Sequence, residues 1–143
     1  MKKNFRTRGR EAALQILYQR EIGGIGLDEA IATVFDRQWP EEGGPPAEVR
    51  VFGGALARAT VERMPEVDQA IAETTERWRP ERMAVVDRLI LRLAVAELAG
   101  EPATPAAVVI NEALELARTY STEDAVKFIN GMLDAIRRKR DAT

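Results

Sequence analysis

Apolar residues recur along the chain at spacings of three and four rather than two, the pattern of helices that each bury one stripe. A first helix, about Arg8 to Ile22, sets Ala13, Leu14, Leu17 and Tyr18 on or beside such a stripe and stops in Gly23-Gly24. A second follows Asp28 as its N-cap, places Ile31, Val34, Phe35 and Gln38 at i, i+3, i+4 and i+7, and ends at Trp39-Pro40. Glu41 to Pro46 is rich in glycine and proline and reads as a loop. The third helix, about Ala47 to Met64, carries Val49, Phe52, Leu56 and Thr60, with Gly53-Gly54 in its middle. Each glycine there costs roughly 1 kcal/mol against alanine, which implies a close helix crossing.

Pro65 opens a fourth helix, Glu66 to Trp78, with Val67, Ala70, Ile71 and Thr74 at helical spacing, and Arg79-Pro80 breaks it. From Arg82 to Leu98 the pattern turns apolar almost all round, as expected of a central, buried helix. Thr104 as N-cap and Pro105 at the first position start a sixth helix to about Tyr120, with Val109, Ile110, Ala113, Leu116 and Ala117 inward. Ser121 to Asp124 has the form of a capping box before Ala125, Val126, Ile129, Leu133 and Ile136 of a seventh. Strand signals are nearly absent and the connections are short, so the expectation is an all-α chain of about seven helices with antiparallel neighbours.

At 143 residues, 45% of them hydrophobic, the chain has the length of one domain and enough apolar surface for a core. Cysteine is absent, which excludes disulfides, a thiolate zinc site and a cysteine nucleophile. Histidine is absent too, and with it the usual general base and the commonest metal ligand. No apolar run approaches the roughly 18 residues of a membrane span, since Arg88 and Arg92 interrupt the best stretch. The basic start has no signal-peptide apolar segment, so a cytoplasmic protein without a membrane partner is expected.

The formal net charge of −2 conceals an asymmetry. Lys2, Lys3, Arg6, Arg8 and Arg10 are unaccompanied by any acid, and Arg137, Arg138, Lys139 and Arg140 run consecutively. The body between, residues 11–136, holds 12 basic and 22 acidic residues, a net of −10. An acidic body with basic ends can draw phosphates to one place and a basic protein to another. The C-terminal run also complements a helix dipole, whereas cations at a helix N-terminus oppose it and need another reason.

Paired acids at Glu41-Glu42, at Glu112 with Glu115 and at Glu123-Asp124 are read as loop or first-turn residues rather than catalytic pairs. Gly23-Gly24-Ile25-Gly26 follows a helix and so lacks the context of a phosphate loop. No catalytic residue, metal ligand or cofactor site emerges. Arg88 and Arg92 share a helix face, either as a narrow solvated stripe or as a docking surface. At the N-terminus, arginine forks match phosphate oxygens, Gln15 can read a base edge and Tyr18 offers a stacking face. Phe128, next to Lys127, supplies a second aromatic; the alternative for both rings is a place in the core.

Arg8-Gly9-Arg10-Glu11-Ala12-Ala13-Leu14-Gln15-Ile16-Leu17-Tyr18, Asp87-Arg88-Leu89-Ile90-Leu91-Arg92-Leu93-Ala94, Val108-Val109-Ile110-Asn111-Glu112-Ala113-Leu114-Glu115-Leu116-Ala117 and Lys127-Phe128-Ile129-Asn130-Gly131-Met132-Leu133 occur in that order. As a set they resemble the NusB family of bacterial transcription antitermination factors over nearly the whole chain. The same module opens a class of ribosomal RNA methyltransferases, but the chain ends where their catalytic domain would begin, so the stand-alone factor is expected.

The resemblance implies two small packed helical bundles, a single RNA-binding domain over residues 1–143, and no catalysis. It implies binding of the boxA element of nascent RNA together with the ribosomal protein NusE during ribosomal RNA transcription, within an antitermination complex on RNA polymerase. Arg6, Arg8 and Arg10 would contact RNA phosphates, with Gln15, Tyr18, Lys127 and Phe128 along the RNA path. Tyr18 and Asp87 would face NusE, and Asp124 lies where the family tunes assembly. Asn111, Glu112, Asn130 and Gly131 would bond or pack between helices. Thr7 stands where some relatives carry arginine, and Asp87 is one methylene shorter than the glutamate of some members. Some relatives pair with themselves, so a homodimeric interaction module in ribosomal RNA maturation, with little RNA binding, is the alternative.

Overall fold

A computed structural model describes residues 4–76, 78–100 and 104–142; Lys2 and Lys3 lie outside the described residues. Seven α-helices account for most of them, with no strand among the described residues. The chain divides into two compact units, residues 1–59 and 60–143.

The first unit contains α1 (Phe5–Gly23), α2 (Leu27–Ala32) and most of α3 (Ala47–Glu62). α1 begins three residues before the sequence pattern suggests, because Asn4 caps it: the Thr7 backbone N–H donates to Asn4 Oδ1 at 2.8 Å. It ends where expected, with Gly24 in the left-handed region at φ 64°. Ala12, Ala13, Ile16 and Leu17 form its buried stripe. Gly26, not Asp28, occupies the N-cap of α2; Asp28 sits in the first turn and accepts from Arg58 at 2.6 Å. The helix does not continue regularly to Trp39. Residues Thr33–Arg37 widen into a π-helical turn that buries Val34 and Phe35, and the Gln38 N–H reaches back to the Thr33 carbonyl at 3.0 Å.

The glycine pair in α3 marks a crossing, but only one of the two glycines makes it. A Cβ on Gly53 would stand 2.8 Å from the Gly9 carbonyl oxygen, while one on Gly54 would meet nothing within 4 Å. Gly9 contributes from the other side, since a Cβ there would stand 2.6 Å from Phe52 Cδ2. Two backbones thus approach too closely for any side chain between them.

The second unit comprises α4 (Met64–Thr74), a 3₁₀ turn (Pro80–Arg82), α5 (Val85–Ala99), α6 (Ala106–Tyr120) and α7 (Glu123–Asp141). α5 is the central helix that its composition predicts: Leu89 to Ala96 are buried without a break, against α4, α6 and α7. Burial of each large aliphatic side chain stabilises by about 1.5–3 kcal/mol, so this helix anchors the unit.

Arg92 is the polar exception on α5 and departs from the solvated-stripe reading. It is 8% exposed, forks onto both oxygens of Asp68 at 2.9 and 3.0 Å, and lies over the Trp78 ring at 5.9 Å. Trp78 is able to take this position because α4 ends at Thr74 rather than at Trp78, with Thr75 extended. The caps of the last two helices also differ by one residue from expectation. Pro105 takes the cap position of α6 in place of Thr104. Thr122, not Ser121, caps α7 by accepting from the Ala125 N–H at 3.1 Å, which leaves the Ser121 hydroxyl to donate to Asp87 Oδ1.

Candidate nucleic-acid interface

Arg6, Arg8 and Arg10 lie inside α1, and helical geometry separates them. At 100° per residue, Arg6 and Arg10 share a face while Arg8 points away from both. The guanidinium carbons of Arg6 and Arg10 stand 5.4 and 5.2 Å from the centre of the Phe52 ring. Arg6 is exposed, but Arg10 is only 4% exposed, so of the two it is Arg6 that presents charge to solvent. Cations that oppose the helix dipole at this end are offset by aromatic faces, at about 0.5–1 kcal/mol per contact.

Arg8 has a different setting. Its guanidinium lies 5.4 Å from the centre of the Trp39 ring and pairs with Glu41 at 2.6 Å. Gln15, seven residues on and therefore on the same face of α1, is exposed. Arg8, Glu11, Gln15, Trp39 and Glu41 line a cleft of about 490 Å³. Trp39 also meets Phe35 with ring centres 5.8 Å apart, and its indole N–H is buried without a hydrogen-bond partner, at a cost of about 1–3 kcal/mol. Tyr18, one turn beyond Gln15, is 40% exposed and so is not a core ring.

In the second unit, Lys127 is exposed and Phe128 half-buried near the start of α7, with Asp124 exposed in its first turn. Asp87 is half-buried and already accepts the Ser121 hydroxyl, a bond that fixes its orientation. Asn111, Asn130 and Gly131 are exposed, and a Cβ at Gly131 would meet nothing within 4 Å, so Gly131 is not required by a close helix approach. Glu112 is half-buried.

The C-terminal cations are engaged within their own unit. Arg140 donates to the Leu98 carbonyl at 2.8 Å and Lys139 to the Glu73 carbonyl at 3.3 Å, so both bind the C-terminal ends of neighbouring helices. Arg138 pairs with Asp134 at 2.7 Å and Arg137 with Asp141 at 3.8 Å. The dipole-complementing reading therefore describes them, extended from their own helix to α4 and α5.

Sequence reasoning missed Phe52, Trp39 and Glu41. Phe52 sits at core spacing, Trp39 reads as a helix stop before proline, and Glu41 as a loop acid. Nothing in the linear pattern pairs them with arginines on α1.

Fold and surface together define a small all-helical protein whose first helix carries guanidinium groups on aromatic rings, a surface suited to nucleic-acid backbone. The chain belongs to the NusB family, whose model matches residues 7–138. The transcription antitermination protein NusB of Koribacter versatilis (strain Ellin345) is 44% identical over 142 residues, covering 99% of this chain and 94% of that protein. T. maritima NusB superposes with a TM-score of 0.82 at 33% identity, covering 96% of this chain and 93% of that one. A chain from the crystal structure of antitermination factors NusB and NusE in complex with dsRNA superposes with a TM-score of 0.83 at 26% identity, covering 94% and 97%.

Proposed function

We propose that this protein is a transcription antitermination factor that binds boxA-type single-stranded RNA together with the ribosomal protein NusE during ribosomal RNA transcription. The observation that carries the reading is the surface of α1 in a NusB-family chain: Arg6 and Arg8, on opposite sides of the helix, are each held on an aromatic ring, and exposed Gln15 continues the Arg8 side with exposed Tyr18 one turn beyond. Arg6 and Arg8 neutralise phosphates, and Arg10 acts from beneath by ordering Phe52. Lys127 and Phe128 extend the RNA path, while Tyr18, Asp87 and Asp124 meet NusE. The −10 charge of residues 11–136 suits a basic ribosomal protein. The chain works as one RNA-binding domain, in the cytoplasm, within an antitermination complex on RNA polymerase, and acts by binding rather than by catalysis. Among the described residues no helix is long and apolar enough to cross a membrane.

The test is fluorescence anisotropy of a labelled boxA-like single-stranded RNA titrated with the protein, with and without NusE, beside a scrambled strand and a duplex at the same salt. NusE is expected to sharpen binding to the boxA-like strand, because a partner adds contacts and pre-organises the site. Equal affinity for the scrambled strand, or no binding with NusE present, would overturn the reading.

A further inference from the structure

The cleft beside Trp39 has a composition that phosphate binding alone does not explain. At about 490 Å³ it falls within the roughly 300–1,000 Å³ range of clefts that enclose small ligands. Its wall contains a planar aromatic face, a side-chain amide, a guanidinium and two carboxylates, from Trp39, Gln15, Arg8, Glu11 and Glu41. The Trp39 ring carries a buried, unpartnered N–H, so its position is not one that hydrogen bonding selects for stability. Arg8 covers the ring and is itself held by a carboxylate, the arrangement a phosphate would reproduce with its own oxygens.

We infer that this cleft is a pocket for one unstacked base of single-stranded RNA, whose stacking face, the Trp39 ring, is covered in the free protein by Arg8 held on Glu41 and exposed when an RNA phosphate takes Arg8 from Glu41. The inference rests on the RNA-binding reading above and adds to it a stacking residue, Trp39, and a gate, Glu41. As the guanidinium moves to the phosphate, the indole face is uncovered for the base. Gln15, on the same face of α1 as Arg8, offers one donor and one acceptor edge to it. The Glu41 carboxylate, released from Arg8, adds acceptors to the wall, which favours a base bearing an exocyclic amino group over uracil.

Glu41 is a dispensable competitor in this scheme. Its side chain is 59% exposed, so Glu41→Gln leaves the packing intact and removes only the charge that holds Arg8 closed. An exposed pair of this kind corresponds to about a two- to fivefold effect, so Glu41→Gln is expected to tighten RNA binding by that factor.

The test uses the full chain with NusE and a short boxA-like single-stranded RNA in which each nucleotide in turn is made abasic. One position is expected to weaken binding between about 5- and 150-fold and to abolish an RNA-induced change in tryptophan fluorescence. Trp39→Phe should remove or alter that change, while Trp78, buried in the second unit, serves as the unaffected reference. Trp39→Leu should weaken the intact RNA by the same factor and show no further loss at that position. Uracil placed there should bind more weakly than adenine or cytosine. Strong RNA binding in which every abasic loss is unchanged by Trp39→Leu, or in which Glu41→Gln weakens affinity, would overturn the pocket and leave the RNA-binding reading standing. Loss of all RNA binding with NusE present would overturn both. Saturation of the Trp39 signal by a free nucleoside monophosphate at lower concentration than the RNA would reassign the cleft to mononucleotides and overturn the pocket for RNA. The fluorescence scan on the unsubstituted protein decides the question even if Trp39→Leu fails to fold.

Discussion

Gly53 and Gly54 are chemically identical neighbours with opposite expected behaviour. Gly53→Ala forces a methyl against the Gly9 carbonyl and is expected to destabilise by about 1–3 kcal/mol. Gly54→Ala adds a methyl to open space within a helix and is expected to stabilise by about 0.5–1 kcal/mol. Urea unfolding of both variants checks the pair, and equal midpoints would remove the crossing from the account. The linear pattern reveals that a crossing exists because two interior glycines need a reason, but not which glycine makes it, since that depends on the rotation of α3 about its axis. Arg92 has the same character. Its place on an apolar helix is visible in the sequence, yet its bond to Asp68, 24 residues earlier, is not. Asp68→Ala removes the carboxylate on which the nearly buried Arg92 guanidinium forks and is expected to cost about 3 kcal/mol by the same unfolding measurement.

At the scale of the element, the helices are legible and their ends are not. Seven helices follow from apolar spacing alone, whereas several ends shift by one to four residues because caps depend on one hydrogen bond apiece. Asn4 extends α1 far enough to place all three arginines within the helix. Asn4→Ala is therefore expected to cost about 1 kcal/mol and, by fraying the first turn, to weaken RNA binding together with stability. Thr122→Ala is expected to cost a similar amount, while Ser121→Ala, though nearer to the expected capping box, leaves the α7 cap in place. Amide exchange in the first turn of α7 should rise in Thr122→Ala and not in Ser121→Ala, whose loss is the bond to Asp87. The π-helical turn at Thr33–Arg37 had no signal in the spacing, because Ile31, Val34 and Phe35 fit a regular helix equally well.

Across the whole molecule, the two basic ends have different partners: Arg6, Arg8 and Arg10 lie on aromatic rings, while Arg138, Lys139 and Arg140 bind groups of their own unit. Each phosphate contact should contribute roughly 0.7 to the slope of log K against log salt for single-stranded RNA. Arg6→Ala and Arg8→Ala are each expected to flatten that slope, whereas Arg138→Ala, already paired with Asp134, should leave it unchanged. A flattened slope in Arg138→Ala would place the C-terminal run on the RNA surface. In the sequence the helix dipole already distinguishes the two runs, but the partners of each side chain, which are distant in the chain, are not legible there. The last turn of α7 has one more consequence. Through Lys139 and Arg140 it holds the ends of α4 and α5, far away in the chain, so amide hydrogens at those three helix ends should exchange with solvent as one cooperative group. Removing the two side chains should release their protection together rather than one helix at a time.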